Sequence, residues 1–414
     1  MLTRHASERS HLPNRAHTSA SAHTSPPART ADLIVVGAGV IGAACAYYAT
    51  RAGLHVTVID RGPVAGGTTG AGEGNLLVSD KAPGPELELA LHSAHLWREL
   101  AAELPSRIEY ETKGGVVVAS TEPELAALRR FAAAQRQAGV EAAEVPADRL
   151  TDLEPHLAPG RAGGVHYPQD AQVQPALAAA HLLRAAADTG RLTLRLGEEV
   201  TAILTGRQGD VRGVRATRHG EVHAPHVLNA AGTWGGQVAR LAGLELPVLP
   251  RRGFVLVTEP LPRVVRHKVY SAEYVADVAS GSAALQTSAV VEGTPAGPVL
   301  IGASRERVGF DRTLSVEALR RLAAQAVRLF PVLAQVRAIR TYAGFRPYLP
   351  DHFPAIGPDP RLPGLLHACG HEGAGIGLAP ATGALIAAML TGTELPLDPA
   401  PFAPERFARE EAVR

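Results

Sequence analysis

Six residues, Gly37-Ala38-Gly39-Val40-Ile41-Gly42, carry the first chemistry legible in this chain. They have the form G-x-G-x-x-G. The apolar run Leu33-Ile34-Val35-Val36 precedes them, and a small-residue segment that reads as a helix follows to Ala52 and stops at Gly53. A second apolar run, Val56–Ile59, ends in Asp60, 18 residues after Gly42. Each type has a physical task in a strand–turn–helix–strand unit. Gly37 admits a sharp turn. Gly39, without a Cβ, lets a pyrophosphate approach the backbone, and Gly42 lets helix and strand pack closely. The helix N-terminus offers free N–H groups and its positive dipole end to phosphate. Asp60 stands where a carboxylate accepts a hydrogen bond from a ribose hydroxyl. The stretch therefore reads as a dinucleotide site, with nicotinamide and flavin cofactors both open at this point.

The rest of the chain must position that site. At 414 residues it can bury a sizeable core, and length favours two or three domains. A net charge of +1 gives no general electrostatic reason to bind nucleic acid or an anionic membrane. The two cysteines, Cys45 and Cys369, lie in apolar, small-residue surroundings. They exclude a disulfide scaffold and fit a reducing, cytoplasmic setting. No cluster has metal-ligand spacing, and no run approaches the length of a membrane-spanning helix. Residues 1–30 are rich in Ser, Thr, His, Arg and Pro, and are expected to be a disordered leader.

The segment from Val64 to Asn75 holds five glycines, and a flat ligand could approach such a loop closely. Helices are expected over 85–104, 123–138, with Thr121 as N-cap, and 175–188. A hairpin is expected over 200–217, and a buried strand, Val227–Asn229, running into Ala230-Ala-Gly-Thr-Trp234. Between Leu246 and Ser304 the pattern turns to short β-branched runs, among them Gly253–Thr258, Tyr274–Ala276 and Ala283–Gln286, which read as an antiparallel sheet. The chain returns to a strand, Leu365–Cys369, a glycine-rich loop and an apolar helix over 376–390.

Four segments carry a resemblance: VVGAGVIGAACAYYATRAGLHVTVID, VLNAAGTWGGQVARLAG, AGFRPYLPDHFPAIG and HACGHEGAGIGLAPATGALIAAMLTG. In this order they resemble the FAD-dependent amine and amino-acid oxidoreductases that include glycine oxidase, sarcosine oxidase and D-amino acid dehydrogenase, over residues 31 to 392. TTGAGEGNLLVSDK and IGASRERVGFD resemble the branch of hydrogen cyanide synthase and opine or D-hydroxyproline dehydrogenase subunits. The resemblance implies an α/β fold: a Rossmann-type FAD-binding domain with an inserted antiparallel-sheet substrate domain. The expected division is FAD-binding over 31–110, 161–245 and 341–395, substrate-binding over 111–160 and 246–340, and a tail over 396–414.

The resemblance also implies roles. Gly37, Gly39, Val40, Ile41 and Gly42 would hold the FAD pyrophosphate, with Asp60 and Arg61 toward the adenosine ribose. Thr68, Thr69 and Gly70 would lie along the cofactor, Val200 at the adenine end, and Ala231 and Gly232 near the ribityl and phosphate region. Gly373, Ala374, Gly375 and Ile376 would present backbone N–H groups to the flavin, where a helix N-terminus stabilises the negative charge of its reduced form. Arg346 matches the arginine that clamps the substrate carboxylate; Tyr274 and Tyr348 could add hydroxyl contacts, His371 would stand near the flavin, and Arg252 could approach it. The implied reaction is hydride transfer from the substrate Cα–H to flavin N5, followed by imine hydrolysis. The two cysteines match no flavin-linking position, so FAD is expected to be non-covalent. Members of the branch work with a second flavoprotein and a small iron–sulfur protein, which implies partners of that kind besides a small amino-acid or amine substrate. Two alternatives remain: a flavoprotein hydroxylase, whose later Gly-Asp motif is not evident, and a flavin-binding subunit active only when assembled.

Overall fold

The computed structural model describes residues 31–278 and 281–407. The expected leader, residues 1–30, and residues 408–414 of the expected tail lie outside the described residues.

Two sheets organise the chain. The six-stranded sheet has the order Ala355–Pro358, Leu365–Cys369, His226–Asn229, Leu33–Val36, Val56–Asp60, Leu192–Leu196. All neighbours are parallel except the edge pair of Ala355–Pro358 with Leu365–Cys369. The first strand is buried along its whole length, which is why it reads as an unbroken apolar run. Leu33 and Val35 join the core on the helical face, while Ile34 and Val36 pack toward the three-stranded sheet Val200–Thr205, Val211–Ala216 and Gly220–His223. The hairpin expected over 200–217 forms the first two of those strands.

On the helical face, Val40–Arg51 packs against Pro175–Asp188 and against the last long helix, Gly375–Thr391. A Cβ on Gly383 would stand 2.7 Å from the Ala44 backbone, so glycine there lets the two helices approach. Pro85–Glu103 packs on the same last helix.

The eight-stranded sheet has the order Ala338–Tyr348, Leu249–Thr258, Val299–Arg305, Gln286–Gly293, Lys268–Ser271, Gly115–Ala119, Gly163–Tyr167, Ala143–Pro146. One face packs Val116, Phe254, Val269 and Ile301 against the helix Val316–Leu329, whose Leu322 and Ala326 are buried. The other face, with Val117, Tyr270 and Val290, turns toward the core around the six-stranded sheet.

Five local expectations are corrected. The inserted sheet is not purely antiparallel, because Lys268–Ser271 and Gly115–Ala119 run parallel. Gly163–Tyr167, which the expected division assigns to the FAD-binding part, is a strand of the larger sheet; partners on both sides supply its ladder from distant sequence. The expected boundary at 340 and 341 cuts through an 11-residue strand, Ala338–Tyr348, which pairs with Leu249–Thr258 over nearly all its length. Tyr274–Ala276 is not a strand but part of the helix Glu273–Val278. So short an apolar run fits either period, and the helix brings the Tyr274 ring to 4.9 Å from Tyr270. Of the run expected over 283–286, only Gln286 lies in a strand.

Candidate active site

A cavity of about 420 Å³ runs from the glycine-rich turn to the larger sheet. At one end stand Gly37, Gly39, Asp60, Glu198 and Val200; at the other, Tyr274, Arg346 and His371.

The turn is built as its spacing requires. Gly37 has φ of 120°, and a Cβ there would lie 2.4 Å from the Ala230 carbonyl oxygen. A Cβ on Gly42 would lie 2.0 Å from the Gly37 carbonyl oxygen, so Gly42 serves packing and does not line the cavity. Gly39 faces open space apart from Thr69 Oγ1, which accepts the Val40 N–H at 3.0 Å. Gly39 is the N-cap of its helix and makes no side-chain cap, which leaves first-turn N–H groups for an anion. The Asp60 oxygens accept the Ala38 and Gly62 N–H groups, each at 2.7 Å. This holds the carboxylate in one orientation and leaves it lone pairs for a hydroxyl.

Arg61 and Val200 line the same end. The Arg61 guanidinium lies 4.5 Å from the centre of the Trp234 ring, a cation–π contact the sequence did not announce. In the middle, Thr68 and Thr233 both donate to the Phe345 carbonyl, at 2.6 and 2.7 Å. These bonds fasten the glycine-rich loop and the Ala231–Gly232 turn to the strand that carries Arg346. Thr68, Thr69, Ala231 and Gly232 line the cavity here, whereas Gly70 does not: its Cβ position is filled by the Ala65 carbonyl at 2.4 Å.

The third wall is the start of Gly375–Thr391. Gly373, Gly375 and Ile376 line the cavity, while Ala374, the N-cap, faces a small adjoining pocket. His371 is buried, with Nε2 3.0 Å from Thr382 Oγ1. The Thr382 hydroxyl donates to the Leu378 carbonyl, so Nε2 carries the proton. Burial pushes the imidazole down to about 3, which makes it a neutral wall.

Arg346 is partly buried, and its Nη1 donates to the Ser304 carbonyl at 2.8 Å. Among the described residues no carboxylate forms an ion pair with it. Burial acts against its charge, and Arg305 and Arg251 add to that, so an incoming anion would be strongly favoured. Gly253 leaves room for the guanidinium, since a Cβ there would stand 2.1 Å from Nη1. Tyr274 lines the cavity beside Arg346, whereas Tyr348 does not. Arg252 is also outside it, pairing instead with Glu306 and Asp311, each at 2.8 Å, because alternation along the strand sends it to the other face. Glu73, which sequence reasoning passed over, lines the cavity too. The only signal for it was an acid in the middle of a glycine-rich loop.

The model of the family described as FAD dependent oxidoreductase matches residues 32–389. The chain belongs to that family. It is similar to the hydrogen cyanide synthase subunit HcnC of Pseudomonas aeruginosa, at 31% identity over 93% of this chain and 98% of that one. It is also similar to a glycine oxidase of Pseudomonas aeruginosa, at 33% identity over 90% and 98%. The crystal structure of glycine oxidase from Geobacillus kaustophilus superposes with a TM-score of 0.81, at 29% identity, over 90% of this chain and 98% of that one. The protein is thus an FAD-dependent oxidoreductase with the fold of that neighbour, and FAD is its cofactor. The cavity fits such a group: an open Gly39, helix N-termini at Val40 and Gly375 whose N-cap residues make no side-chain cap, and an oriented Asp60 lie along one channel. No helix among the described residues is long and apolar enough to cross a membrane.

Proposed function

We propose that this oxidoreductase oxidises the C–N bond of a small amino acid or secondary amine. Bound non-covalently, FAD would accept the hydride from the carbon next to nitrogen. Arg346 would hold the substrate carboxylate with a two-pronged hydrogen bond and so place that carbon. Tyr274 would close the pocket beside it, and the neutral His371 would exclude water. The observation that carries this reading is the partly buried Arg346 guanidinium, which lines the cavity with no carboxylate among the described residues in an ion pair with it. The residues assigned to FAD would be Gly37, Gly39, Val40, Ile41, Asp60, Arg61, Thr68, Thr69, Val200, Ala231, Gly232, Gly373, Gly375 and Ile376.

The test is an anaerobic screen of the purified holoenzyme against glycine, N-methylglycine, proline, D-amino acids and imino diacids. Bleaching of the flavin by one of these is the expected result. Bleaching by none, with the flavin still reducible by dithionite, would overturn the reading for the isolated chain. A second reading has one observation in its favour: the similar Pseudomonas protein HcnC is by name a subunit. On that reading the chain is a flavin-binding subunit, and bleaching would need added partners such as a second flavoprotein or an iron–sulfur protein.

A further inference from the structure

Glu73 is 8% exposed and lines the same cavity as Arg346 and Tyr274. Its Oε1 is buried and has no hydrogen-bond partner. The lysine whose charge acts on it is already occupied: Lys268 Nζ contacts Asn75 Oδ1 and, at 2.5 Å, Glu292 Oε2. The carboxylate rests on Gly302, where a Cβ would stand 2.5 Å from either oxygen. A carboxylate with one oxygen unpartnered, in the wall of a cavity that an arginine without an ion pair among the described residues also lines, is a costly arrangement unless a ligand completes it.

The geometry defines that ligand. Arg346 is anchored on the Ser304 carbonyl and Glu73 on Gly302, two residues apart on one strand, which is at most about 7 Å of chain. A carboxylate and a nitrogen on one carbon, with a hydrogen bond of about 2.9 Å at each end, span such a gap. We propose that Glu73 is the residue that receives the substrate nitrogen, accepting a hydrogen bond from the ammonium and then its proton. The inference rests on the amine-oxidation reading above. In the step, the N–H bond breaks and leaves its electron pair on nitrogen. An O–H bond forms on the Glu73 carboxylate, and the pair of groups goes from ammonium and carboxylate to amine and carboxylic acid. The amine lone pair needed to expel hydride from the neighbouring carbon is thereby freed.

The groups facing Glu73 are Glu292 and Lys268 from the adjoining strands, Arg346 and Tyr342 from Ala338–Tyr348, and Tyr274 from its short helix. Burial, then Glu292, pushes the Glu73 carboxyl up, while Lys268, Arg346 and the Gly302 amide pull it back, leaving it at about 7. A carboxyl so placed exchanges its proton in the neutral range.

The experiment uses the FAD-loaded full chain and two probes of similar shape, N-methylglycine and butyrate, which share a carboxylate and differ in the nitrogen. Binding is read from flavin absorbance and by calorimetry in buffers of different protonation enthalpy. The wild type should bind N-methylglycine at least about tenfold more tightly than butyrate. It should release protons to the buffer at about pH 6 and few at about pH 8, where Glu73 takes them up. Glu73→Gln should abolish the preference and release protons at both pH values, while binding butyrate within about twofold of wild type. If Glu73→Gln keeps the preference, or changes only the flavin spectrum and FAD affinity, the proposal is overturned and Glu73 serves the cofactor or the fold. The calorimetry on wild type alone decides the matter if the variant does not fold: equal proton release at both pH values would sink it. If wild type binds neither probe, the amine-oxidation reading fails first and takes this inference with it.

Discussion

Trp97 Nε1 donates to the Ile376 carbonyl at 3.1 Å, the acceptor that Pro380, four residues further along the helix, cannot reach with an N–H of its own. Ser93 completes the repair. Its hydroxyl donates to the Gly377 carbonyl at 2.6 Å and accepts the Ala381 N–H at 3.3 Å. One side of the helix Pro85–Glu103 thus replaces the hydrogen bonds that proline disrupts, in the very turn that lines the cavity with Gly375 and Ile376. Trp97→Phe should destabilise the fold by about 1–3 kcal/mol, since a buried carbonyl loses its donor. FAD affinity should fall with it. Thermal melts with and without added FAD read both effects, and an unchanged melt would show that the Ile376 carbonyl finds another donor.

Arg346→Ala should raise the KM of whichever amino acid the screen identifies by about tenfold or more, with loss of a charge-assisted pair of about 1.5–3 kcal/mol. FAD content should stay near wild type, because the cofactor contacts proposed here lie elsewhere in the channel. Arg346→Lys should recover only part of the loss, because an ammonium lacks the planar fork. Steady-state kinetics on flavin-replete protein separates these outcomes, and unchanged kinetics would remove Arg346 from the site.

Gly37→Ala should abolish FAD binding or the fold itself. Its φ of 120° is hostile to a side chain, and the added Cβ would meet the Ala230 carbonyl at 2.4 Å. Gly39→Ala, by contrast, should fold and lose cofactor, because only Thr69 Oγ1 lies near, at 3.2 Å. Flavin content after desalting, set beside circular dichroism, tells the two apart.

Stability should fall as pH rises through neutrality in the cofactor-free protein. The folded Glu73 carboxyl sits at about 7, above its ordinary value of 4.5, and burial also raises Asp170 to about 7. A raised acid contributes stability that is fully present below its unfolded value and is lost as pH climbs through the folded one. For Glu73 the loss amounts to on the order of 3 kcal/mol. Glu73→Gln should therefore melt higher than wild type at about pH 8 and lose that advantage at about pH 4.5. The opposite trend would show that the carboxylate is stabilised where it stands.

Acid precipitation should release the flavin into the supernatant, because binding is proposed to be non-covalent. Cys369 lines the cavity, but burial raises its thiol to about 12, which leaves little thiolate to form a bond. Yellow colour retained in the pellet would identify a covalent link.

Much of this protein was legible in its residues. The turn Gly37–Gly42 and the acid at Asp60 lie where the spacing put them, because strand, turn and helix form within one short segment whose preferences are local. The N-cap Thr121, which accepts the Glu124 N–H, was legible for the same reason. Elements whose partners lie far away were less so. Gly163–Tyr167 is a strand because Gly115–Ala119 and Ala143–Pro146 flank it, and Tyr274 sits in a helix beneath Tyr270.

The sequence by itself determined the glycine-rich turn, the apolar strands and the resemblance that named flavin chemistry. Only the tertiary structure decided which charges face the cavity. Alternation along Leu249–Thr258 turns Arg252 away, burial pushes the His371 imidazole down, and Lys268 pairs with Glu292 rather than with Glu73. Charge state and direction depend on burial and on neighbours brought in from distant strands. Those are properties of the folded arrangement and are not written in any one stretch of the chain.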